Sequence, residues 1–226
     1  MTQRILQLPG QTLAWQLKRS SRRSIGLRIG RDGLTVTLPN RLPIIEAERA
    51  IHQKLDWILQ KLAEQTQALQ QLAHGANVLW LGEAITLHAG STRNRLDGGS
   101  LHLAASDQHV FLALALRRFC QRHARIHFAE RVAVWGERMG LHPAKLALSS
   151  ARGRWGSCTA AGGLRLNWRL MQAPPAVIDY VVIHELAHLA ELNHSPRFWA
   201  IVEAHCPHWK TQRQWLKLHG NQLLGW

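Results

Sequence analysis

The chain has 226 residues, with 28 Lys and Arg against 14 Asp and Glu, a formal charge of +14 with histidine neutral, and 46% hydrophobic residues. That length and apolar content suffice for a core without disulfides, which excludes a disordered tail protein and a disulfide-stapled mini-protein. Every apolar run falls short of the roughly 18 residues a membrane helix needs, and Met1 to Gly10 carry no secretory-type apolar core. Three cysteines, Cys120, Cys158 and Cys206, are an odd number without CxxC spacing. They fit reduced thiols in a cytoplasmic protein with no membrane partner.

In chain order, Ile25, Leu27 and Ile29 alternate with Ser24, Gly26 and Arg28, which is strand periodicity. Arg31-Asp32-Gly33 is a turn, and 34–38 returns as the second strand of a hairpin. Pro43 opens a helix over 44–72, where Ile51, Leu55, Ile58, Leu59 and Leu62 form one buried face. Further strands fall at 78–88 and around Leu101, with a turn at Asp97-Gly98-Gly99. A second long helix covers 110–139, with Gly140 as its stop. A short strand at 145–150 precedes a hairpin built from Arg154-Trp155-Gly156-Ser157-Cys158 and 164–168. Pro174-Pro175 begins a helix over 175–192, ended by a left-handed Asn193. Ser195-Pro196 caps a helix to Ala204, and 209–218 is a terminal helix. The expectation is an α+β fold with a mixed or antiparallel sheet, long helices and an N-terminal β-hairpin region. Residues 1–105 are expected to form a β-rich part with one long helix, packed on the same domain as 106–226, the part that carries the chemistry.

The basic surplus is concentrated early: Arg4, Lys18, Arg19, Arg22, Arg23, Arg28 and Arg31 all precede the first acid, Asp32. Such a field suits either a solvated basic face or a polyanion such as nucleic acid, met through Arg19, Arg22 and Arg23. No finger, RNP or phosphate-loop motif accompanies it.

Chemistry enters at His184-Glu185-Leu186-Ala187-His188. Histidines at i and i+4 lie on one helical face, so their imidazoles can converge on one ion. Zinc suits imidazole nitrogen, and Glu185 is close enough to serve a zinc-activated water as general base. The flanking Val177, Val181, Val182, Ile183, Leu186 and Leu189 make the helix buried, where unpaired polar groups are costly. His194 follows six residues after His188 and can return to the same ion, with Glu203 as the alternative third ligand and His205 and His208 further candidates. Cys158 reads as a small packed residue. Trp155 and Trp168 can flank a cleft, and Trp155, Gly156 and Asn167 are the substrate-binding candidates. Tyr180, His205 and His208 are candidates for the donor to an oxyanion. An exposed edge strand of the hairpin before the helix can align an extended peptide.

These segments occur together and in order: Arg154 to Cys158, Leu164 to Leu170, Pro174-Pro175 with Tyr180-Val181-Val182, the HExxH helix, and Asn193-His194-Ser195 with Phe198-Trp199. The set resembles the YgjP-like metallopeptidases, a zincin group related to SprT-like and WLM domains, and the likeness spans roughly 22–218. Arg22-Arg23-Ser24-Ile25 and Leu81-Gly82-Glu83 share it. The resemblance implies a zincin-like core, a zinc cofactor held by His184, His188 and His194, Glu185 as catalytic base, and a protein or peptide substrate. The function expected is zinc-dependent peptide hydrolysis. The alternatives are a polyanion-binding module with a structural zinc, or a peptidase recruited to nucleic acid.

Overall fold

The computed structural model describes residues 2–30, 33–70 and 72–223, with the side chains of 65–70 left aside. The expected turn at Arg31-Asp32 lies outside the described residues. The chain divides into two compact units, Met1–Ala68 and Leu69–Trp226. The division falls ahead of the 105/106 boundary expected from the run of elements. Residues after Ala68 supply Leu72, Val78, Leu87 and Leu101 to the same core as the later helices, so they belong with the second unit.

In the first unit, strands β1 (Thr2–Leu8), β2 (Gln11–Ser20), β3 (Gly26–Gly30) and β4 (Gly33–Pro39) form a sheet of order β1-β2-β4-β3. Two antiparallel hairpins join through a parallel β2–β4 pair. Trp15, Leu34, Val36 and Leu38 alternate inward and meet Ala47, Ile51 and Ile58 of the helices that follow. The expected single helix is two, α1 (Ile44–Gln53) and α2 (Leu55–Gln70), broken at Lys54. The apolar stripe runs through the break, which is why its periodicity reads as continuous. Arg19, expected to face a polyanion, donates from Nη1 to the carbonyls of Pro39, Asn40 and Leu42 at 3.2, 2.8 and 2.9 Å. Its guanidinium closes the turn after β4.

The second unit opens with the same plan. Strands β5 (Asn77–Trp80), β6 (Glu83–His88), β7 (Arg95–Asp97) and β8 (Ser100–His102) make a sheet of order β5-β6-β8-β7, again two hairpins with a parallel middle pair. Helix α3 (His109–Met139) stops at Gly140, as the sequence predicts. Strands β9 (Lys145–Ser149), β10 (Gly156–Cys158) and β11 (Gly163–Asn167) form a third sheet of order β10-β11-β9, with β11–β9 parallel. A 3-10 helix (Trp168–Gln172) leads to α4 (Pro175–Ala187), α5 (Pro196–His205) and α6 (Trp209–Leu223). The architecture is α+β with three mixed sheets, as expected. Among the described residues no helix is long and apolar enough to cross a membrane.

The start of α4 is set by the turn between β5 and β6. Leu81 and Gly82 both have positive φ, 49° and 88°, the signature of a two-residue hairpin turn whose twist matches its strands. Their N–H groups donate to the carbonyls of Met171 and Gln172 at 2.7 and 3.2 Å. A Cβ on Gly82 would meet the Cα of Pro174 at 2.9 Å. Gly82→Ala combines backbone strain with this collision. It is expected to cost roughly 1–3 kcal/mol, seen as a lower urea midpoint with an unchanged slope.

Candidate metal centre

Helix α4 is apolar on nearly every side. Val177, Ile178, Val182, Ile183, Leu186 and Ala187 are all buried, and the helix packs on α3, α5, α6, β10 and β11. Arg131 of α3 donates to both carboxylate oxygens of Asp179 at 2.6 and 2.8 Å and fixes its rotation. The helix is expected to run to Leu192 but ends at Ala187, with His188 as its last cap. Across the reversal that follows, His188 Nδ1 lies 3.1 Å from the Glu191 carbonyl. Asn193 is correspondingly not a left-handed stop. Its Oδ1 accepts from the Ser195 N–H at 3.1 Å, and the Ser195 hydroxyl caps α5 by accepting from Phe198 N–H at 3.3 Å.

This reversal brings three imidazoles together. The ligand atoms of His184, His188 and His194 all lie within 4.8 Å of one another, the one such group among the described residues. Nε2 of His184 and Nε2 of His194 are 3.1 Å apart. Ring centroids are 5.0 Å apart for 184–188 and 184–194 and 4.8 Å for 188–194. Fully buried Phe198 supports all three rings at centroid distances of 4.9, 4.5 and 4.8 Å. Trp199 stacks on His194 at 5.8 Å and on Trp209 at 4.1 Å.

The cluster fits a tetrahedral divalent ion. Ligation at 2.0–2.1 Å sets neighbouring nitrogens about 3.3 Å apart, close to the 3.1 Å between His184 and His194, with His188 inside the 4.8 Å span of the group. A proton donated from His188 Nδ1 to the Glu191 carbonyl leaves Nε2 unprotonated on the ligand side. Burial, then repulsion from His188 and His194, lowers the His184 pKa to about 3, and burial also lowers that of His194. Both rings are therefore held in the neutral form that binds metal.

Glu185 is buried at 6% exposure and reaches the same cleft. Burial pushes its carboxyl up to about 7, against the pull of Arg154. The cleft measures about 360 Å³ and is lined by His184 and Glu185 together with Tyr180 and Val181 of α4, Arg154, Trp155 and Gly156 around β10, and Arg213, Leu216 and Lys217 of α6. Burial raises the Tyr180 phenol to about 12, so its hydroxyl stays a donor.

The other sequence candidates fall into two groups. Trp155 and Gly156 line the cleft. Asn167, expected at the substrate, is fully buried. Its Nδ2 donates to the carbonyls of Ala151 and Arg154 at 2.6 and 3.2 Å and its Oδ1 accepts from Arg169 N–H, so it holds the loop ahead of β10. Trp168 is likewise core, its indole donating to Ser150 Oγ at 3.0 Å. Glu203 is exposed on α5 and outside the histidine group, and His205 and His208 do not line the cleft. Cys158 keeps a protonated thiol, raised by burial and by Glu185. Sequence reasoning missed the whole α6 wall. The signal available was Arg213 and Lys217 at i and i+4, a spacing that puts both on one helical face.

Gly156 has a role that substrate contact does not describe. A Cβ there would run into Glu185 Oε1 and stand 2.6 Å from its Cδ. Only the absence of a side chain lets the carboxyl lie against β10. Gly156→Ala is expected to cost about 1–3 kcal/mol, the usual penalty of overpacking. In a Glu185→Ala background the same change should fall within about 0.5 kcal/mol of neutral. Urea unfolding of the four proteins of this cycle measures the coupling.

The model of the YgjP-like metallopeptidase domain family matches residues 23–219. No curated protein and no solved structure matches the chain.

Proposed function

Since this chain belongs to the YgjP-like metallopeptidase family, we propose that it is a zinc-dependent peptidase whose centre is His184, His188 and His194 with Glu185 as general base. The observation that carries the reading is three imidazoles whose ligand atoms converge, one of them, His184, lining a cleft together with the buried Glu185. Three imidazoles suit zinc, and a structural site would ordinarily be closed by a fourth protein ligand, whereas three converge here among the described residues. When bound, zinc supplies a Lewis acid that acidifies water to near neutral pH and polarises a carbonyl.

The chain's own residues do the rest. Glu185 takes the proton of the attacking water at a carboxylate oxygen and delivers it to the leaving amine nitrogen. Gly156 gives that carboxylate its place, and the Glu191 carbonyl fixes the His188 tautomer. The Tyr180 hydroxyl is the cleft's candidate donor to the oxygen that gains charge. Strand β10 is an edge of its sheet. The Trp155 carbonyl bonds to Asn167 and the Thr159 N–H to Gly163, so the intervening peptide groups of Gly156 and Cys158 point to the open side. An extended peptide paired there would pass directly beside Glu185.

Metal analysis after purification should find one zinc per chain. His184→Ala, His188→Ala and His194→Ala should each lose it, while Glu203→Ala should retain it. Full zinc in His194→Ala would overturn the ligand set.

Glu185→Gln keeps shape but cannot accept the proton. It should fold, hold zinc, and cleave substrates found by a proteomic screen about 10²–10⁴-fold more slowly. A wild-type rate with zinc bound would overturn the general-base role.

A further inference from the structure

The walls of the cleft carry an unbalanced charge. Arg154 enters from the loop before β10, and Arg213 and Lys217 enter from α6, one helical turn apart. Among the described residues, none of the three forms an ion pair. Among the described residues Glu185 is the one acid that lines the cleft, and the proposed reaction already uses it. Like charges at i and i+4 repel, so the Arg213–Lys217 pair disfavours its own helix in the absence of an anion. Arg213 is also held in place, its guanidinium lying 5.7 Å from the Trp199 ring centroid. A second hollow of about 160 Å³ shares Arg154, Trp155, Leu216 and Lys217 and extends the groove toward Gly220 and Asn221.

We propose that this cleft selects peptides bearing a carboxylate close to the scissile bond, with Arg154, Arg213 and Lys217 as its specificity-determining residues. The proposal rests on the peptidase reading above. Exposed cations lining one cleft from two elements suit a carboxylate, which accepts charge-assisted hydrogen bonds at both oxygens. Trp155, Val181 and Leu216 give the same cleft apolar surface for a neighbouring side chain. Its volume sits at the low end of the roughly 300–1,000 Å³ typical of small-ligand sites. That is room for a few peptide side chains, not for the long basic track that follows a polynucleotide backbone. The carboxylate can belong to an Asp or Glu side chain or to a free C-terminus, and the chemistry at the cleft is the same.

The test uses zinc-loaded full-length protein and fluorogenic peptides in matched sets: Glu against Gln at each position flanking the cleaved bond, and free against amidated C-termini. Wild type is expected to favour the carboxylate member by about tenfold or more in kcat/KM, the worth of one charge-assisted hydrogen bond. A preference that follows the Glu/Gln pairs assigns an acidic side chain, and one that follows the free C-terminus assigns the terminal carboxylate. Arg154→Gln, Arg213→Gln and Lys217→Gln should each reduce the preference, and Lys217→Glu should reverse it toward neutral or basic peptides. Circular dichroism and zinc content establish that each variant is folded and loaded.

The same peptides, labelled and followed by fluorescence anisotropy on zinc-loaded Glu185→Gln, read binding without turnover. Carboxylate-selective binding by a wild-type protein that cleaves none of them would sustain this proposal and overturn the peptidase reading. Cleavage with equal kcat/KM for both members of every pair would do the reverse. A single-stranded oligonucleotide that displaces the acidic peptide, and loses affinity in the same three Gln variants, would assign these cations to phosphate and overturn the proposal.

Discussion

Helix α4 is packed by α3, α5, α6, β10 and β11, and nearly every side chain it carries is apolar and buried. A polar group on such a helix is expensive unless it has a partner or an opening. His184 and Glu185 sit where a cleft opens on that helix. The same burial neutralises the His184 imidazole and raises the Glu185 carboxyl. One packing constraint therefore acts on both of the groups that the proposed chemistry would use.

The precision of the centre comes from the elements on either side of α4. Upstream, the Leu81-Gly82 turn hydrogen-bonds to the 3-10 helix and presses on Pro174, which fixes where the helix begins. Downstream, His188 closes on the Glu191 carbonyl and the capped start of α5 delivers Phe198 beneath the three rings. His194 is the most exposed of the three and belongs to no helix, so its place depends most on this reversal. Phe198 and the Trp199–Trp209 stack give it a rigid backing.

Helix α6 completes the cleft from a distance of some twenty residues in sequence. Gln172 Nε2 donates to the Leu223 carbonyl at 3.0 Å and ties the end of α6 to the 3-10 helix. Trp155 lies against Gly220, where a Cβ would stand 3.0 Å from its ring. Arg213 and Lys217, on the helix so anchored, line the cleft. The net charge of +14 thus has a local meaning as well as a global one. Part of it is concentrated at the cleft, while Arg19, in the cluster that first suggested a polyanion, is engaged with three backbone carbonyls.

Several features are legible in the linear chain because they depend on near neighbours. The i, i+4 histidines, the Ser195 cap, the Gly140 stop, the 156–158 and 163–167 hairpin and the α+β class all follow from local periodicity and turn chemistry. The family resemblance follows from the same segments. What the sequence concealed depends on which partner each group finds in the folded chain. The break at Lys54 has no Gly or Pro to announce it. The helix end at His188 is accompanied by a bond to a carbonyl, a group every residue possesses. Asn167 looks like a ligand contact and is consumed by a loop on its own sheet. Gly156 reads in sequence as a substrate contact, and in the fold it is also a space that Glu185 occupies. The cations of α6 became part of the site only when tertiary packing laid that helix beside Trp155. Local spacing determines which groups can act together on one helix; which distant groups join them is decided by how buried surfaces fit, and that is not written in any single segment.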